Sequence, residues 1–335
     1  MFARAPSFWS VPGHVFCTLL APVGALVGAV TLHRMAKAGH AVDAVVICVG
    51  NPTVGGAGKT PTACALLDFL TARGARPFAL LRGHGGRESG PLLVDPARHD
   101  AAAVGDEALL LAQVAPTIIS RDRYSGAQLA ARSGATHIVM DDGFQNPSLL
   151  KDASLLVVDG AAGVGNGRVL PAGPLRAPLR PQVARADAVL VIGDGEAGTA
   201  LARTLAGACP VLRARLVPDT ADLSGCRVLA FAGIGRPEKF FTTLRQMGAD
   251  VVVARAFPDH HPYAPSDIEA LLAQADAAGL RAVTTTKDFA RLTGPDFAAL
   301  RARIACVPVK LVLETPATFD ALVQIAEARA QARRA

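Results

Sequence analysis

The sequence predicts an α/β protein: a mostly parallel, doubly wound sheet, a second and smaller α/β domain, and an apolar helix at the N-terminus. Three observations carry this reading. Short apolar runs alternate with helically patterned runs from Ala44 to Pro218, the order that builds parallel sheets covered by helices on both faces. The pattern restarts with a fresh strand and glycine turn in "LSGCRVLAFAGIGRP" (223–237). An 18-residue stretch without charge, "VFCTLLAPVGALVGAVTL" (15–32), precedes everything else. At 335 residues the chain suits about two domains. The expected division is a membrane-associating helical segment over 1–37, a core domain over 38–220 and a C-terminal domain over 221–335.

The N-terminal run is at the lower limit of length for a membrane span, and Pro22 divides it. Three readings stay open: a helix lying on or in a membrane surface, a buried core helix, or a single span. Phe8 and Trp9 ahead of the run and Arg34 and Lys37 behind it favour a membrane interface. A cleaved signal peptide fits poorly, because the basic leader is thin. "AVVICVG" (44–50) is continuously apolar, as expected for a strand covered on both faces. A helical pattern over 60–72 follows, then a strand in "PFALLRG" (77–83) and a polar, glycine-rich loop to about Asp100. "GDEALLLAQ" opens a helix whose first turn carries Asp106 and Glu107, where carboxylates are favoured. "TIIS", the helix "RDRYSGAQLAARSG", and the strands "THIVMDDG", "SLLVVDG", "AVLVIGDG" and "PVLRARLVP" continue the alternation. "ADVVVARAF", "RAVTTTKD" and "IACVPVKLVLE" supply a second parallel set, and the tail "AEARAQARRA" reads as a fraying helix end.

Composition narrows the function classes. Hydrophobic residues make up 51% and aromatics only 5%, so Ala, Val and Leu must fill much of the core. The balance of 34 basic and 28 acidic residues leaves +6. That mild charge suits an anionic substrate or membrane surface. No basic run and no aromatic–basic strip points to nucleic acid. The six cysteines form no C-x-x-C pair and read as reduced core thiols. No His/Cys cluster has zinc spacing.

The chemistry starts at "VGGAGKTPT" (54–62). Gly58, Lys59 and Thr60 match the second half of the P-loop pattern G-x-x-x-x-G-K-[ST]; Thr53 stands where the first glycine belongs. Gly55 and Gly56 free the backbone around Val54 and Ala57, so a loop of bare amides opens into a helix N-terminus, where an anion is favoured. The fold is therefore P-loop NTPase-like, with a nucleoside triphosphate as the expected ligand over residues 53–60. Lys59 would reach the β- and γ-phosphates and the Thr60 hydroxyl would ligate Mg²⁺. Val54 occupies the position at which partitioning-type ATPases carry an extra lysine, which argues against that class. Mg²⁺ also calls for an acidic strand end. "HIVMDDGFQ" offers Asp141 and Asp142 and "LLVVDG" offers Asp159. Two adjacent carboxylates repel unless a cation sits between them, which favours the pair, although Asp-Gly is also a common turn. On the acceptor side, Asp106 and the loop "FPDHHPY" (257–263) each read alone as helix caps or polar loop. Together, a carboxylate and a histidine from opposite domains suit proton removal from a hydroxyl in an interdomain cleft.

"GNPTVGGAGKTP", "LRGHGG", "VGDEALLL", "MDDGFQN", "LPAGPLRAP", "FAGIGRP", "FPDHHPY" and "TTTKDFARL" follow one another over nearly the whole chain. This ordered set strongly resembles the tetraacyldisaccharide 4'-kinase family of lipid A biosynthesis. The resemblance implies ATP- and Mg²⁺-dependent phosphorylation of the 4'-hydroxyl of a tetraacylated glucosamine disaccharide 1-phosphate, at the cytoplasmic face of a bacterial inner membrane. It implies Asp106 as catalytic base paired with His260, Asp141 and Asp142 beside Mg²⁺ and the transferred phosphate, and Arg176 in the cleft. It also implies Arg121 and Arg123 near the lipid phosphate. Two positions depart from the family pattern: Asn146 stands where a histidine is usual, and Ala177 where a glutamate is usual. A P-loop switch ATPase and a kinase for a soluble sugar are the rival readings. A nicotinamide enzyme is disfavoured because "GVGNG" lacks the G-x-G-x-x-G spacing.

Overall fold

The computed structural model describes residues 6–11, 13–219, 223–315 and 318–335. The expected domain boundary at 220–221 and the first five residues of the N-terminal segment lie outside the described residues. In chain order the strands are β1 (Val45–Gly50), β2 (Pro77–Leu81), β3 (Leu92–Leu93), β4 (Thr117–Ile119), β5 (His137–Asp141), β6 (Ala153–Asp159), β7 (Ala188–Ile192), β8 (Val211–Pro218), β9 (Arg227–Ala232), β10 (Asp250–Ala256), β11 (Arg281–Thr285), β12 (Ile304–Val307) and β13 (Val309–Leu313).

They form two sheets. The larger runs β13-β8-β7-β6-β1-β5-β2-β4-β3, the smaller β10-β9-β11-β12. Every pairing is parallel except at the two edges of the large sheet, where β13 meets β8 and β3 meets β4 antiparallel. β1 lies between β6 and β5, so both its faces are covered and all six of its residues are buried. Its side chains alternate between two cores, as the two-residue period requires. Val45, Ile47 and Val49 join one cluster with Leu66, Leu67 and Leu70 of the helix Lys59–Ala72. Val46 and Cys48 face the other cluster with Ile138, Met140 and Phe144. The small sheet repeats the device. Leu229 and Phe231 pack toward the helix Pro265–Ala277, while Val228 and Ala230 pack toward the helix Pro237–Gln246.

The strand expected over "IACVPVKLVLE" is two strands in two sheets. Pro308 has no N–H to continue a ladder. β12 ends before it in the small sheet, and β13 after it returns to pair with β8. The final helix Thr318–Arg334 then places Phe319, Leu322, Val323 and Ala326 in the core beneath β1. Residues 309–335 thus complete the large sheet and depart from the expected division at 221–335. Nor does the tail fray. Arg333 donates to Val42 O (2.9 Å) and pairs with both oxygens of buried Asp152 (3.2 and 3.1 Å), holding the last turn down.

The N-terminal run forms two helices, Val15–Leu19 and Ala21–Met35, with Pro22 in the first turn of the second. Among the described residues no helix is long and apolar enough to cross a membrane, which removes the single-span reading. The fully buried reading is also wrong, because only one face meets protein. A Cβ at Gly24 would stand 2.8 Å from Val169 O and one at Gly28 3.0 Å from Pro178 Cδ, so two glycines let the helix backbone lie directly on the 169–178 loop. Trp9 Nε1 donates to Pro171 O (3.0 Å) in the same loop. The opposite face leaves Val15, Phe16, Leu19, Val23, Leu26 and Val30 exposed.

Candidate active site

The P-loop leaves the carboxyl end of β1, where the sheet order turns from β6 to β5. Ligands of open α/β sheets bind at such a crossing point. Gly58 caps the helix Lys59–Ala72 with φ +94°, and a Cβ there would strike Ile192 Cδ1 at 2.7 Å. Only glycine suits that position. At Gly55 and Gly56 an added Cβ meets nothing within 4 Å, so the outer loop faces open space. Asn51 Nδ2 donates to Gly55 O (3.2 Å) and holds the loop from below.

Thr60 Oγ1 donates to Asp141 Oδ2 (3.0 Å), which joins the P-loop hydroxyl to the acidic end of β5. Asp141 is buried, and its Oδ1 has no hydrogen-bond partner. Burial first, then the nearby Glu107 carboxylate, push its pKa up to about 7. Asp142 adopts φ +56° and behaves oppositely. Burial pushes it up, but Lys59 and Arg176 outweigh that and hold it below the ordinary carboxylate value. Arg176 NH1 lies 2.9 Å from Asp142 Oδ1 and NH2 3.1 Å from Oδ2, a two-point grip; Lys59 Nζ lies 4.0 Å from Oδ1. Arg176 Nε also donates to Thr53 O (3.0 Å), so the "LPAGPLR" loop is tied to the P-loop.

These donors fit Mg²⁺. The unpartnered Asp141 Oδ1 and the Thr60 hydroxyl are hard oxygen ligands. Among the described residues no group of three or more His, Cys, Asp or Glu forms a cage. Mg²⁺ needs no such cage, because it keeps waters and takes phosphate oxygens beside one or two carboxylates. Asp159, the alternative, is committed elsewhere: it pairs with Arg236 (2.8 Å) and Lys239 (3.1 Å) from the small-sheet domain.

A testable consequence follows for Asp141. Its folded pKa stands above the unfolded value of about 3.9. The destabilising contribution is therefore absent below that value, grows as pH rises toward 7, and is complete above it. Asp141→Asn is expected to raise the melting temperature of the ligand-free protein at pH 8 and leave it little changed at pH 4. Calorimetry at both values checks this; an equal rise at both would show that charge is not the cause.

On the other wall, Asp106 opens the helix Asp106–Ala112 and is buried. His260, from the loop after β10, meets Asp106 Oδ2 at 3.1 Å through Nδ1. An ionised carboxylate only accepts, so Nδ1 carries the hydrogen. His260 has φ +57°. Its hydrogen bond to Asp106 raises its pKa. Burial pushes Asp106 up, but His260, Arg291 and Lys287 together hold it far below the usual carboxylate range. Sequence reasoning missed two of the groups gathered here, Arg291 and Lys287. Arg291 donates to Asp106 Oδ2 through Nε (2.8 Å) and NH2 (2.5 Å), and Lys287 pairs with Glu107 (2.5 Å). Lys287 and Arg291 stand four residues apart, on one face of the short helix Thr286–Arg291. That spacing was the available signal.

The remaining expected residues separate. Arg123 is buried, with NH1 donating to Ser120 O (2.6 Å) and Nε unpartnered; Arg121 is exposed on the adjoining turn. Asn146 Oδ1 accepts from Ser148 N (2.8 Å) and Oγ (2.7 Å) and so closes a local turn. Ala177 is fully buried, and its carbonyl accepts from Gln182 Nε2 (2.7 Å).

The family model described as tetraacyldisaccharide-1-P 4'-kinase matches residues 16–327. The chain belongs to the tetraacyldisaccharide-1-P 4'-kinase family. A tetraacyldisaccharide 4'-kinase of Xanthobacter autotrophicus is 62% identical over 99% of this chain and 99% of its own length. One from Azorhizobium caulinodans is 57% identical over 99% and 100%. The crystal structure of LpxK from Aquifex aeolicus in complex with ATP shares the fold, with a TM-score of 0.72 at 24% identity over 93% of this chain and 99% of that one. Membership in this 4'-kinase family is the setting in which the P-loop with its Thr60–Asp141 pair and the buried Asp106–His260 pair are to be read.

Proposed function

We propose that this 4'-kinase carries out its reaction, ATP-dependent phosphorylation of the 4'-hydroxyl of tetraacyldisaccharide 1-phosphate, between the P-loop and the Asp106–His260 pair. The new bond joins the 4'-oxygen to the γ-phosphorus. The bond between that phosphorus and the β,γ-bridging oxygen breaks, ADP leaves, and the hydroxyl proton passes to Asp106. The P-loop amides and Lys59 hold the triphosphate, and Arg176 faces the transferring group from the side of Asp142. Thr60, Asp141 and Asp142 would hold Mg²⁺, which when bound neutralises charge on the β- and γ-oxygens. Arg121 is exposed on the acceptor side and suits the substrate's 1-phosphate, while Arg123 braces the turn that presents it. The observation that carries the reading is the Asp106–His260 contact, made beside Glu107, whose carboxylate is near enough to the Thr60–Asp141 pair to push the Asp141 pKa up. Incubation with γ-labelled ATP and lipid A disaccharide 1-phosphate should yield labelled lipid IVA. Hydrolysis of ATP without a labelled lipid would favour the switch-ATPase alternative.

The exposed apolar stripe of the N-terminal helices suits the surface of the membrane that holds the substrate's acyl chains, at its cytoplasmic side where ATP is available. Leu19 and Leu26 are each 66% exposed at its centre. Replacing both with Glu is expected to lower binding to anionic phospholipid vesicles by at least about tenfold, since each buried leucine contributes about 1.5–3 kcal/mol. Turnover of detergent-dispersed substrate should persist. Unchanged vesicle sedimentation would remove the stripe from that role.

A further inference from the structure

Among the described residues, the second domain supplies every side-chain donor that reaches the Asp106 carboxylate. Oδ2 receives three: His260 Nδ1, Arg291 Nε and Arg291 NH2. Among the described residues, Oδ1 receives only the N–H of Glu107, at 2.9 Å, from its own helix. A carboxylate oxygen has two lone pairs. Oδ2 is therefore saturated, and Oδ1 keeps one lone pair free.

The guanidinium that saturates Oδ2 is itself immobilised. Arg291 NH1 donates to Gly233 O (2.7 Å) and to Asp288 Oδ1 (2.9 Å). Asp288 is fully buried, and accepts in turn from Gly233 N (2.8 Å), Tyr263 Oη (2.9 Å) and Thr285 Oγ1 (2.6 Å). The same Gly233 carbonyl accepts from the backbone N–H of His260 (3.1 Å). One turn at the end of β9 thus fixes both partners of Asp106. Lys287, one turn before Arg291, holds the neighbouring Glu107 (2.5 Å).

We infer that Arg291 is a positioning residue for the phosphoryl transfer: docked from the second domain, its Nε–NH2 edge locks Asp106 so that Oδ1 is the atom that takes the substrate proton. This rests on the reading of Asp106 as base. A simple interdomain ion pair would need only one charge-to-charge contact. Here two donors of a planar fork converge on the oxygen that must not react, and the fork's third arm is clamped by a buried carboxylate. Arginine can hold that arrangement and lysine cannot, because an ammonium is a single point of charge. The catalytic carboxylate is then in register only while the two domains are joined.

The test is a cycle of four full-length proteins: wild type, Asp106→Asn, Arg291→Ala and the double variant, each assayed for kcat and for KM toward ATP and lipid. Arg291→Ala is expected to lower kcat by about 10²-fold, the range of a misplaced reacting group, with both KM values within about threefold. In the Asp106→Asn background the same change should cost less than about threefold, because its target is already gone. Arg291→Lys should recover part of the loss. A near-normal kcat for Arg291→Ala overturns the inference, as does a loss that simply multiplies with that of Asp106→Asn, or a rise in KM for ATP with kcat intact. If the alanine variant does not fold, Arg291→Lys takes its place in the cycle: a lowered kcat that vanishes in the Asp106→Asn background supports the role, and a wild-type kcat or a multiplying loss overturns it. The two layers separate cleanly. A near-normal Asp106→Asn removes the base and the role of Arg291 with it. A dead Asp106→Asn with multiplying losses removes Arg291 alone.

Discussion

Asp106→Asn is expected to lower kcat by about 10²–10⁴-fold, the range that a positioned general base contributes, with KM for ATP nearly unchanged. Asparagine preserves the size of the side chain but has no carboxylate to take the proton. Its amide also presents donors to partners that only donate. His260 Nδ1 and the Arg291 fork both point at Oδ2, while Glu107 N points at Oδ1, so no orientation of the amide satisfies all of them. The triphosphate cradle lies on a different element and should bind nucleotide as before. The low pKa of Asp106 makes it a weak base, and the chemistry tolerates that. Phosphoryl transfer proceeds through a loose transition state in which the nucleophile is little bonded, so the proton need move only late. The sign for stability is clear as well. Asp106 is depressed in the fold, so its contribution is present at neutral pH and is lost only as pH falls from the ordinary carboxylate value through the still lower folded one. Activity above about a tenth of wild type in Asp106→Asn would take the base role away.

The parts of this site that were legible in the sequence are those whose chemistry is local. The P-loop is a backbone device: glycines at fixed offsets before a helix, after a strand buried on both faces. Asp141 and Asp142 could be read because strand ends in a doubly wound sheet gather where ligands bind, and Thr60 meets Asp141 as that logic requires. Asp106 and His260 stood out as a pair only when read as groups from opposite domains. Arg291 and Lys287 were missed because their four-residue spacing on a short helix does not by itself name a partner. Their partners lie in another domain, Arg291 being 185 residues from Asp106 and Lys287 180 from Glu107, and a basic residue in a short helix ordinarily faces solvent. The return of β13 was missed for a related reason. A strand interrupted by Pro308 reads as one apolar run, and only the free edge of β8 decides that its second half leaves for the other sheet. The anchored tail depends on contacts far away in the sequence, Arg333 with Asp152 and Val42 O and Arg329 with Asp187, where composition alone reads a loose, basic end.

Lys59→Ala should produce a loss of comparable size, by a different route. The lysine follows Gly58, whose φ of +94° turns the chain into the helix, and its ammonium lies 4.0 Å from Asp142 Oδ1. Arg176 grips both oxygens of the same carboxylate. Asp142 thus holds two cations beside the P-loop, and on the proposed reading each turns to the β- and γ-phosphate oxygens when nucleotide occupies the loop. A cation preorganised for charge that grows during transfer acts mainly on the transition state. Removing one such group costs about 10²–10³-fold in kcat. Asp142 then loses a partner while remaining mostly buried, and its pKa should rise, because Lys59 is the first of the charges that hold it down. The expected signature is a large fall in kcat, a smaller rise in KM for ATP, and no change in binding to phospholipid vesicles, since the N-terminal helices meet the 169–178 loop and not the P-loop. Single-turnover phosphorylation with saturating ATP and detergent-dispersed lipid measures it directly. If the rate constant for transfer were unchanged and only ATP affinity fell, Lys59 would be a ground-state binder, and Arg176 with the metal site would have to carry the charge of the moving phosphoryl group.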